Sequence, residues 1–355
     1  NPWGFDFDDR GQIWAEMCVI PHLFHMIQGA RITRQGGEHY CYNADETARN
    51  AAHRDSRSRK PIFPYVYEDI TVHADHVHYA GAGGPHAGNG RSDSSGGGHA
   101  HAGVLCYLGT SWPESYRGQL FLGNIHGQRV NMDMPVPDGS GYLAKHGADF
   151  INFNDSWSQT LNQRADADGS MFIIDWYDKN QCHHNNEAGH DRSNGRIYKL
   201  VYKNQPVTRP DFNTLSDEEL VKRVPSKNEW ESRHARRVLA ERVERLAASE
   251  TADDGPEEFR GLMRRRQAAQ KIPALASLRD VIDSSKDTSE RLRALWALHM
   301  AGGLRLEDAG RWAEDGDVWV RSWTVQVYFE NSDLLFTSER AAKSSACGTS
   351  AAWLP

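Results

Sequence analysis

The chain has 355 residues, a formal net charge of −7 at pH 7, and 39% hydrophobic and 25% charged residues. This composition is typical of folded domains and excludes a disordered, collagen-like or disulfide-dense protein, while the length favours two domains. The sequence has no run of about 18 apolar residues, so no membrane-spanning helix is predicted. The acidic balance argues against a basic surface that would bind nucleic acid.

Two parts of the chain differ in composition. Residues 1–200 hold 24 of the 31 glycines and 15 of the 17 histidines. The segment Asn204-Gln205-Pro206 has the composition of a linker. We therefore predict a β domain over residues 1–205, a helical domain over 206–337, and a poorly structured or truncated end over 338–355.

Short strands between turns that contain Asp and Gly fill the first domain. They are predicted at residues 5–7, 118–124, 171–174 and 195–202. Such strands are typical of sandwiches, barrels and propellers. A recurring unit, a turn followed by a short strand with an aromatic residue, favours a partial β-propeller. The turn Asp166-x-Asp168-Gly169 resembles the opening of a calcium loop but lacks its twelfth-position Glu, so we predict a β-turn.

Helical signals dominate the second domain. Ser216 and Glu219 form a capping-box pattern, and Glu229 to Leu246 runs without Gly or Pro at helical spacing. Further helices are predicted over residues 273–282, 291–300 and 317–329.

Three of these helices share a pattern, in which an Arg is followed by core positions two and six residues later. The sets are Arg233/Ala235/Leu239, Arg293/Leu295/His299 and Arg321/Trp323/Val327. The pattern resembles HEAT-type repeats, which stack as a solenoid. An ordinary helical bundle is the alternative.

The segment from His73 to His101 is unusually rich in histidine and glycine. Glycine lets a loop approach an ion closely, and neutral imidazole is the commonest metal ligand. Because residues two apart in a strand share a face, His99 and His101 are predicted to aim at one point, with Asp93 as a nearby carboxylate. We interpret them as metal ligands or catalytic groups. The alternative is a solvent-exposed loop.

A second polar cluster follows the strand at 171–174. It contains Asp178, His183, His184 and His190, which could serve as acid–base groups or ligands on a loop at the end of a strand. The alternative is that Trp176 and Tyr177 pack inside while the remaining residues form a polar surface.

His126 and Arg129 form a smaller signal. They lie in the segment Asn-Ile-His-Gly-Gln-Arg at 124–129, which ends a strand and is predicted to face a central cavity. They are therefore further candidate site residues.

Five cysteines are present, and no pair has CxxC spacing. Cys182-His183 follows Lys179 rather than Cys, so the haem-attachment pattern is not met. One or two disulfides, such as one between Cys18 and Cys182, and buried thiols are open alternatives. The chain begins without Met or a signal peptide, and we expect it to be a fragment.

Four segments carry a family resemblance: residues 1–6 (Asn-Pro-Trp-Gly-Phe-Asp), 96–101 (Gly-Gly-Gly-His-Ala-His), 154–158 (Asn-Asp-Ser-Trp-Ser) and the Asp-Trp-Tyr-Asp run that begins at 175. Together they resemble the large haem-binding, dehydrogenase-like proteins of planctomycete and verrucomicrobial bacteria. The propeller of that family is similar to soluble quinoprotein glucose/sorbosone dehydrogenases, and HEAT-like repeats follow it. The resemblance thus implies the C-terminal blades of a propeller and the start of a solenoid.

The resemblance also implies a function. A sugar or alcohol would be oxidised with pyrroloquinoline quinone and calcium, and a His would act as the base. The candidate bases are His99, His101 and His126, and the candidate cofactor-binding residues are Asp178, His183, His184, His190 and Arg129. Electrons would pass to a c-type cytochrome domain or partner, with haem c in a domain that this chain lacks. A periplasmic or secreted location follows. The alternative is a non-catalytic module that binds a glycan or a protein.

Overall fold

The computed structural model describes residues 2–18, 22–28, 70–72, 100–125, 127–179, 187–203, 209–249 and 257–330, with the backbone alone at 70–72 and 257–259. The chain divides into two compact units, Asn1–Pro206 and Val207–Pro355. The described strands lie in the first unit and the α-helices in the second, which confirms the predicted order of a β part and then an α part.

The β unit contains three sheets in the described residues. Sheet 1 has the order β1-β2-β3, sheet 2 has the order β4-β8-β7-β6-β5 with β9 paired to β7, and sheet 3 has the order β10-β11-β12. The strands are β1 (Pro2–Phe7), β2 (Ile13–Met17), β3 (Leu23–Met26), β4 (Ile70–Val72), β5 (His101–Cys106), β6 (Leu120–Asn124), β7 (Arg129–Asp138), β8 (Gly141–His146), β9 (Ile151–Asn152), β10 (Thr160–Ala165), β11 (Met171–Asp175) and β12 (Arg196–Leu200). All pairings are antiparallel except the parallel pair of β4 with β8.

The predicted Asp-Gly turn between β10 and β11 is confirmed. The Gly169 amide donates to the Asp166 carbonyl at 2.9 Å, and Gly169 has a φ of +76°, a conformation that glycine adopts at little cost. The Lys199 ammonium binds the carboxylates of Asp166 and Asp168 at 2.7 and 2.8 Å. A lysine therefore neutralises the two carboxylates that resemble the opening of a calcium loop.

Sheet 2 is covered on both faces. On one face, Trp14 and Leu23 of sheet 1 pack with Leu120 and Leu122. On the opposite face, Phe121 belongs to a second cluster that includes Met171 and Ile173 of sheet 3. The alternation of side chains along β6 thus serves both interfaces, since successive residues of a strand point to opposite faces.

Close backbone approach at Gly4 and Gly103 brings the three sheets together. A Cβ atom at Gly4 would lie 2.9 Å from the Cα of Gly103, and one at Gly103 would lie 2.8 Å from the Cα of Asn162. Because any larger residue would push these strands apart, glycine is required at the junction of β1, β5 and β10.

The helical unit contains seven α-helices in the described residues. They are α1 (Asp217–Arg223), α2 (Glu229–Ala248), α3 (Glu257–Gln270), α4 (Ser277–Ser284), α5 (Thr288–Met300), α6 (Leu306–Ala313) and α7 (Val318–Glu330). The predicted capping box is present: the Ser216 side chain accepts from the Glu219 amide, and the Glu219 side chain accepts from the Ser216 amide. Sequence reasoning did not predict α6.

One apolar core spans the helical unit, and the largest fully buried side chain in it is Trp312. Ala235, Leu239 and Leu295 of the shared Arg-containing pattern belong to this core. No helix among the described residues is both long and apolar enough to cross a membrane.

Candidate functional site: a buried histidine–aspartate network

A pair of buried titratable side chains joins sheets 1 and 2. His22 immediately precedes β3, and Asp133 lies in the middle of β7. The Nε2 atom of His22 lies 2.6 Å from Oδ2 of Asp133, and neither side chain is exposed. Burial of two such groups is costly unless they are paired, so this contact connects the start of β3 to sheet 2.

Polar residues alternate along the start of β7. Arg129, Asn131 and Asp133 lie two residues apart and therefore share one face of the strand. The Arg129 guanidinium binds Asp149 Oδ2 at 2.7 Å, and the side-chain Nδ2 of Asn131 donates to Asp149 Oδ1 at 2.9 Å. This face thus carries a continuous polar network between two otherwise apolar sheets.

His146, the last residue of β8, connects the two carboxylates. It lies opposite Asp133 in the strand register, with Nδ1 3.7 Å from Asp133 Oδ1 and Nε2 3.4 Å from Asp149 Oδ1. Interactions with Asp133 and then with Asp149 outweigh burial and raise the pKa of His146 to about 9. Burial raises the pKa of Asp149, but His146, Arg129 and Asn131 together lower it to about 2. His146 is therefore an imidazolium at neutral pH, on the side of the network that reaches solvent.

Replacing His146 with glutamine is expected to flatten the pH dependence of stability between pH 6.5 and 9. The pKa of His146 is about 9 in the folded chain and 6.5 when unperturbed. Its stabilising effect is therefore fully present below pH 6.5 and is lost as the pH rises through 9. Urea unfolding across this interval measures the difference between wild type and variant.

His234→Gln in α2 provides the control, because burial lowers the pKa of His234. That substitution is expected to leave the slope above pH 7 unchanged. An equal slope in wild type and His146→Gln would show that His146 is neutral in the folded chain.

His101, predicted from the sequence as a site residue, lies in this network. It begins β5, its amide donates to the Cys18 carbonyl at 3.0 Å, and its side chain is fully buried. Its ring stacks on the ring of His22 with centroids 4.5 Å apart and an interplanar angle of 27°. Arg129, also predicted, lies at the opposite side of the network from His22.

The metal-site prediction falls mostly outside the described residues. His99 and Asp93 lie there, as do His126, His183, His184 and Cys182. Among the described residues, no group of three or more His, Cys, Asp or Glu side chains is arranged to hold a metal ion. The metal role of His99, His101 and Asp93 therefore stays a prediction.

The second predicted cluster is brought together in part. The Nδ1 atom of His190 lies 2.8 Å from Asp178 Oδ2, and the Asp191 amide donates to Asp178 Oδ1 at 2.8 Å. The Asp178 side chain is fully buried. Its carboxylate therefore connects the end of β11 with residues 190 and 191, and its role as a cofactor ligand stays a prediction.

Glu16 in β2 was not singled out by the sequence. Its side chain is fully buried, and neither carboxyl oxygen has a hydrogen-bond partner of normal geometry in the described part of the chain. Burial raises its pKa to about 8, opposed weakly by the Gly103 backbone. A carboxyl that is protonated at neutral pH thus lies between sheets 1 and 2.

Sequence reasoning missed His22, Asp133, His146 and Asp149. His22 and Asp133 are 111 residues apart, so no local spacing relates them. One signal was available: the alternation of Arg129, Asn131 and Asp133 places polar groups on a single face of a strand whose other residues, Val130 and Met132, are apolar and buried.

These observations define a β unit with a buried histidine–aspartate network, followed by a helical unit. A family model described as "Domain of unknown function (DUF7133)" matches residues 1–204, and the chain belongs to this family. A comparison with curated protein sequences finds no match.

Among solved structures, the chain is similar to a Thermus thermophilus protein described provisionally as an oxidoreductase (glucose dehydrogenase). The TM-score is 0.29 and the identity 10%, and the match covers 57% of this chain and 45% of that protein. The chain thus spans less than half of that protein's length. A likeness with this TM-score supports no conclusion about fold or activity.

Proposed function

We propose that this chain is part of a dehydrogenase-like oxidoreductase that oxidises a sugar or an alcohol, with His22 as the base and Asp133 as the group that holds it. The observation that carries the proposal is the 2.6 Å contact between these two fully buried side chains. Paired titratable groups with specific partners are concentrated at functional sites.

The pair has the chemistry that proton removal from a hydroxyl requires. An ionised Asp133 can only accept hydrogen bonds, so Nε2 of His22 carries the proton that it shares with Asp133. The lone pair then lies on Nδ1, the ring atom that can accept a proton. A carboxylate that fixes the tautomer and stabilises the imidazolium is the arrangement used in histidine-based catalysis.

The surrounding residues have positioning roles in this proposal. The ring of His101 stacks on His22 and fixes its plane. His146 keeps a proton at neutral pH because its pKa is about 9. Its positive charge lies beside Asp133, so it favours the ionised carboxylate that holds His22.

Binding of the quinone and calcium that the family resemblance implies stays a prediction. No three metal-ligating side chains meet among the described residues, and the Arg129 guanidinium is occupied by Asp149 and the Gly127 carbonyl. A quinone, when bound, supplies a two-electron acceptor. We assign no described residue to it and derive only the movement of the hydroxyl proton.

The remaining parts of the proposal concern architecture and location. The three sheets pack face to face in chain order, which supports the proposal that they are blades of a β-propeller. The shared Arg-containing pattern of α2, α5 and α7 supports the proposal of HEAT-like repeats. Transfer of electrons to a c-type cytochrome domain or partner, and a periplasmic or secreted location, complete the proposal.

The test is turnover of the protein produced from its own gene, supplied with pyrroloquinoline quinone, calcium and an electron-accepting dye. A panel of aldoses and primary alcohols serves as substrates. We expect His22→Asn to lower kcat/KM about 100-fold or more, the usual contribution of a general base. Asp133→Asn is also expected to lower kcat/KM, because the ring of His22 loses the carboxylate that orients it.

His25→Asn is the matched control. His25 lies in β3, is also largely buried, and bonds Gln12 Oε1 at 2.8 Å. It should retain turnover within a few-fold. Absence of dye reduction by the wild-type protein, or an equal loss in His25→Asn, would contradict the proposal and favour the non-catalytic alternative.

A further inference from the structure

The turn that follows β11 holds an aromatic residue in an unusual backbone conformation. Tyr177 has a φ of +52°, in the left-handed region that bulky residues seldom adopt. Such strain persists only where the surroundings enforce it, and it is concentrated at functional sites. The neighbouring Trp176 is 51% exposed.

Several contacts hold Tyr177 in place. Asp175 Oδ1 accepts from the Tyr177 amide at 2.9 Å and from the Gln159 amide at 2.7 Å. The Tyr177 hydroxyl donates to Asp155 Oδ2 at 3.0 Å. The guanidinium carbon of Arg196 lies 3.3 Å from the centroid of the Tyr177 ring. The backbone, the ring face and the hydroxyl of this residue are therefore all fixed.

Trp176 is anchored by one edge. Its indole Nε1 donates to Asp178 Oδ2 at 3.4 Å, and Asp178 is in turn held by His190 and by the Asp191 amide. The buried Asp178 carboxylate thus directs the indole toward this loop, while about half of the residue stays in contact with solvent. The result is a rigid, exposed aromatic surface bordered by charged residues.

We propose that Trp176 is the stacking platform of a carbohydrate-binding subsite. A sugar ring has an apolar C–H face that can cover an indole, and hydroxyls at its rim that can bond to charged groups. Asp191, whose amide bonds the same Asp178 carboxylate, and the exposed ion pair of Arg192 with Glu187 at 2.9 Å are the nearby charged groups in the chain. A platform held rigid before binding loses little conformational entropy when the ligand arrives. The inference does not depend on the proposed oxidation.

The polar border favours a sugar over a protein partner. Exposed apolar residues on sheet 3, Ile174 at 46% and Ile197 at 72%, would suit contact with a protein partner. The indole of Trp176, in contrast, is hydrogen-bonded to the carboxylate of Asp178. A protein partner is therefore the alternative outcome of the experiment.

The experiment is affinity electrophoresis of the full chain in gels containing dextran, laminarin, xylan or galactomannan. We expect at least one polysaccharide to retard the wild-type chain, and Trp176→Ala to weaken this retention about tenfold or more, as for the central aromatic of a binding site. Trp176→Phe should retain part of it. Thermal unfolding of each variant establishes that it is folded.

Trp3→Ala is the matched control, since Trp3 in β1 is 53% exposed and lies on sheet 1. It should be retarded like wild type. The inference is overturned if none of the four polysaccharides retards the wild-type chain, or if Trp3→Ala and Trp176→Ala weaken retention equally. It is also overturned if Trp176→Ala abolishes only self-association, which would indicate a protein interface.

Discussion

Replacing Glu229 with glutamine is expected to lower the free energy of unfolding of the helical unit by about 3–5 kcal/mol, the usual cost of removing one partner from a buried ion pair. Glu229 begins α2 and is 5% exposed. Its carboxylate binds Arg236 at 2.6 Å and Arg293 of α5 at 2.8 Å, and these guanidinium groups are themselves almost fully buried. Loss of the negative charge would remove the carboxylate that these two buried guanidinium groups share.

The matched control is Glu241→Gln on the same helix. Glu241 is 48% exposed and pairs with Arg237 at 3.4 Å, so its removal should cost about 0.5 kcal/mol or less. Urea unfolding followed by circular dichroism at 222 nm measures both variants. Equal losses in the two would mean that the buried arginines find other acceptors.

The Glu229 network also predicts how acid affects the helical unit. Burial opposes ionisation of Glu229, but Arg236, Arg293 and Arg233 together hold its pKa below the ordinary value. For a carboxyl with a lowered pKa, the stabilisation is present above the unfolded-state pKa of 4.5 and is lost as the pH falls through the folded-state value. The difference between wild type and Glu229→Gln should therefore be constant above pH 4.5 and shrink as the pH falls below it.

Replacing Glu16 with glutamine is expected to stabilise the β unit by up to roughly 3 kcal/mol at pH 7, from the work of protonating a carboxyl about 2.5 pH units above its ordinary pKa. Burial raises the pKa of Glu16 from 4.5 to about 8. Between these values the folded chain binds a proton that the unfolded chain releases, so stability falls as the pH rises. Glutamine removes this dependence.

The measurement is urea unfolding of wild type and Glu16→Gln from pH 4.5 to 8. The advantage of the variant should be small at pH 4.5 and should grow toward pH 8. The exposed Glu114 provides the control, and Glu114→Gln should change stability by about 0.5 kcal/mol or less. A variant less stable than wild type by the same amount at every pH would show that Glu16 is ionised and paired.

The candidate site was only partly predictable. His101 was predicted because it belongs to a His-x-His pair. Arg129 was predicted because it lies in a segment that ends a strand. His22 lies directly before β3 and His25 within it, and no local sequence feature indicates that His22 rather than His25 contacts Asp133. Asp178 and His190 were predicted as one cluster, and their side chains are in contact. The burial of Asp178 depends on tertiary contacts that the local sequence does not specify.

Two features of the fold were determined by the sequence alone because they depend on neighbouring residues. The turn at Asp166–Gly169 follows from the left-handed conformation that glycine supplies, and the start of α1 follows from the reciprocal bonds of Ser216 and Glu219. The periodicity of apolar residues likewise separates a β part from an α part.

The tertiary structure decided which polar groups meet. The register of β7 against β6 and β8 places Asp133 opposite His146, and the packing of sheet 1 on sheet 2 brings His22 to the same carboxylate. The same packing buries the Glu16 carboxyl, and burial raises its pKa. These contacts join residues distant in the chain, and their energies depend on burial, which local sequence does not specify.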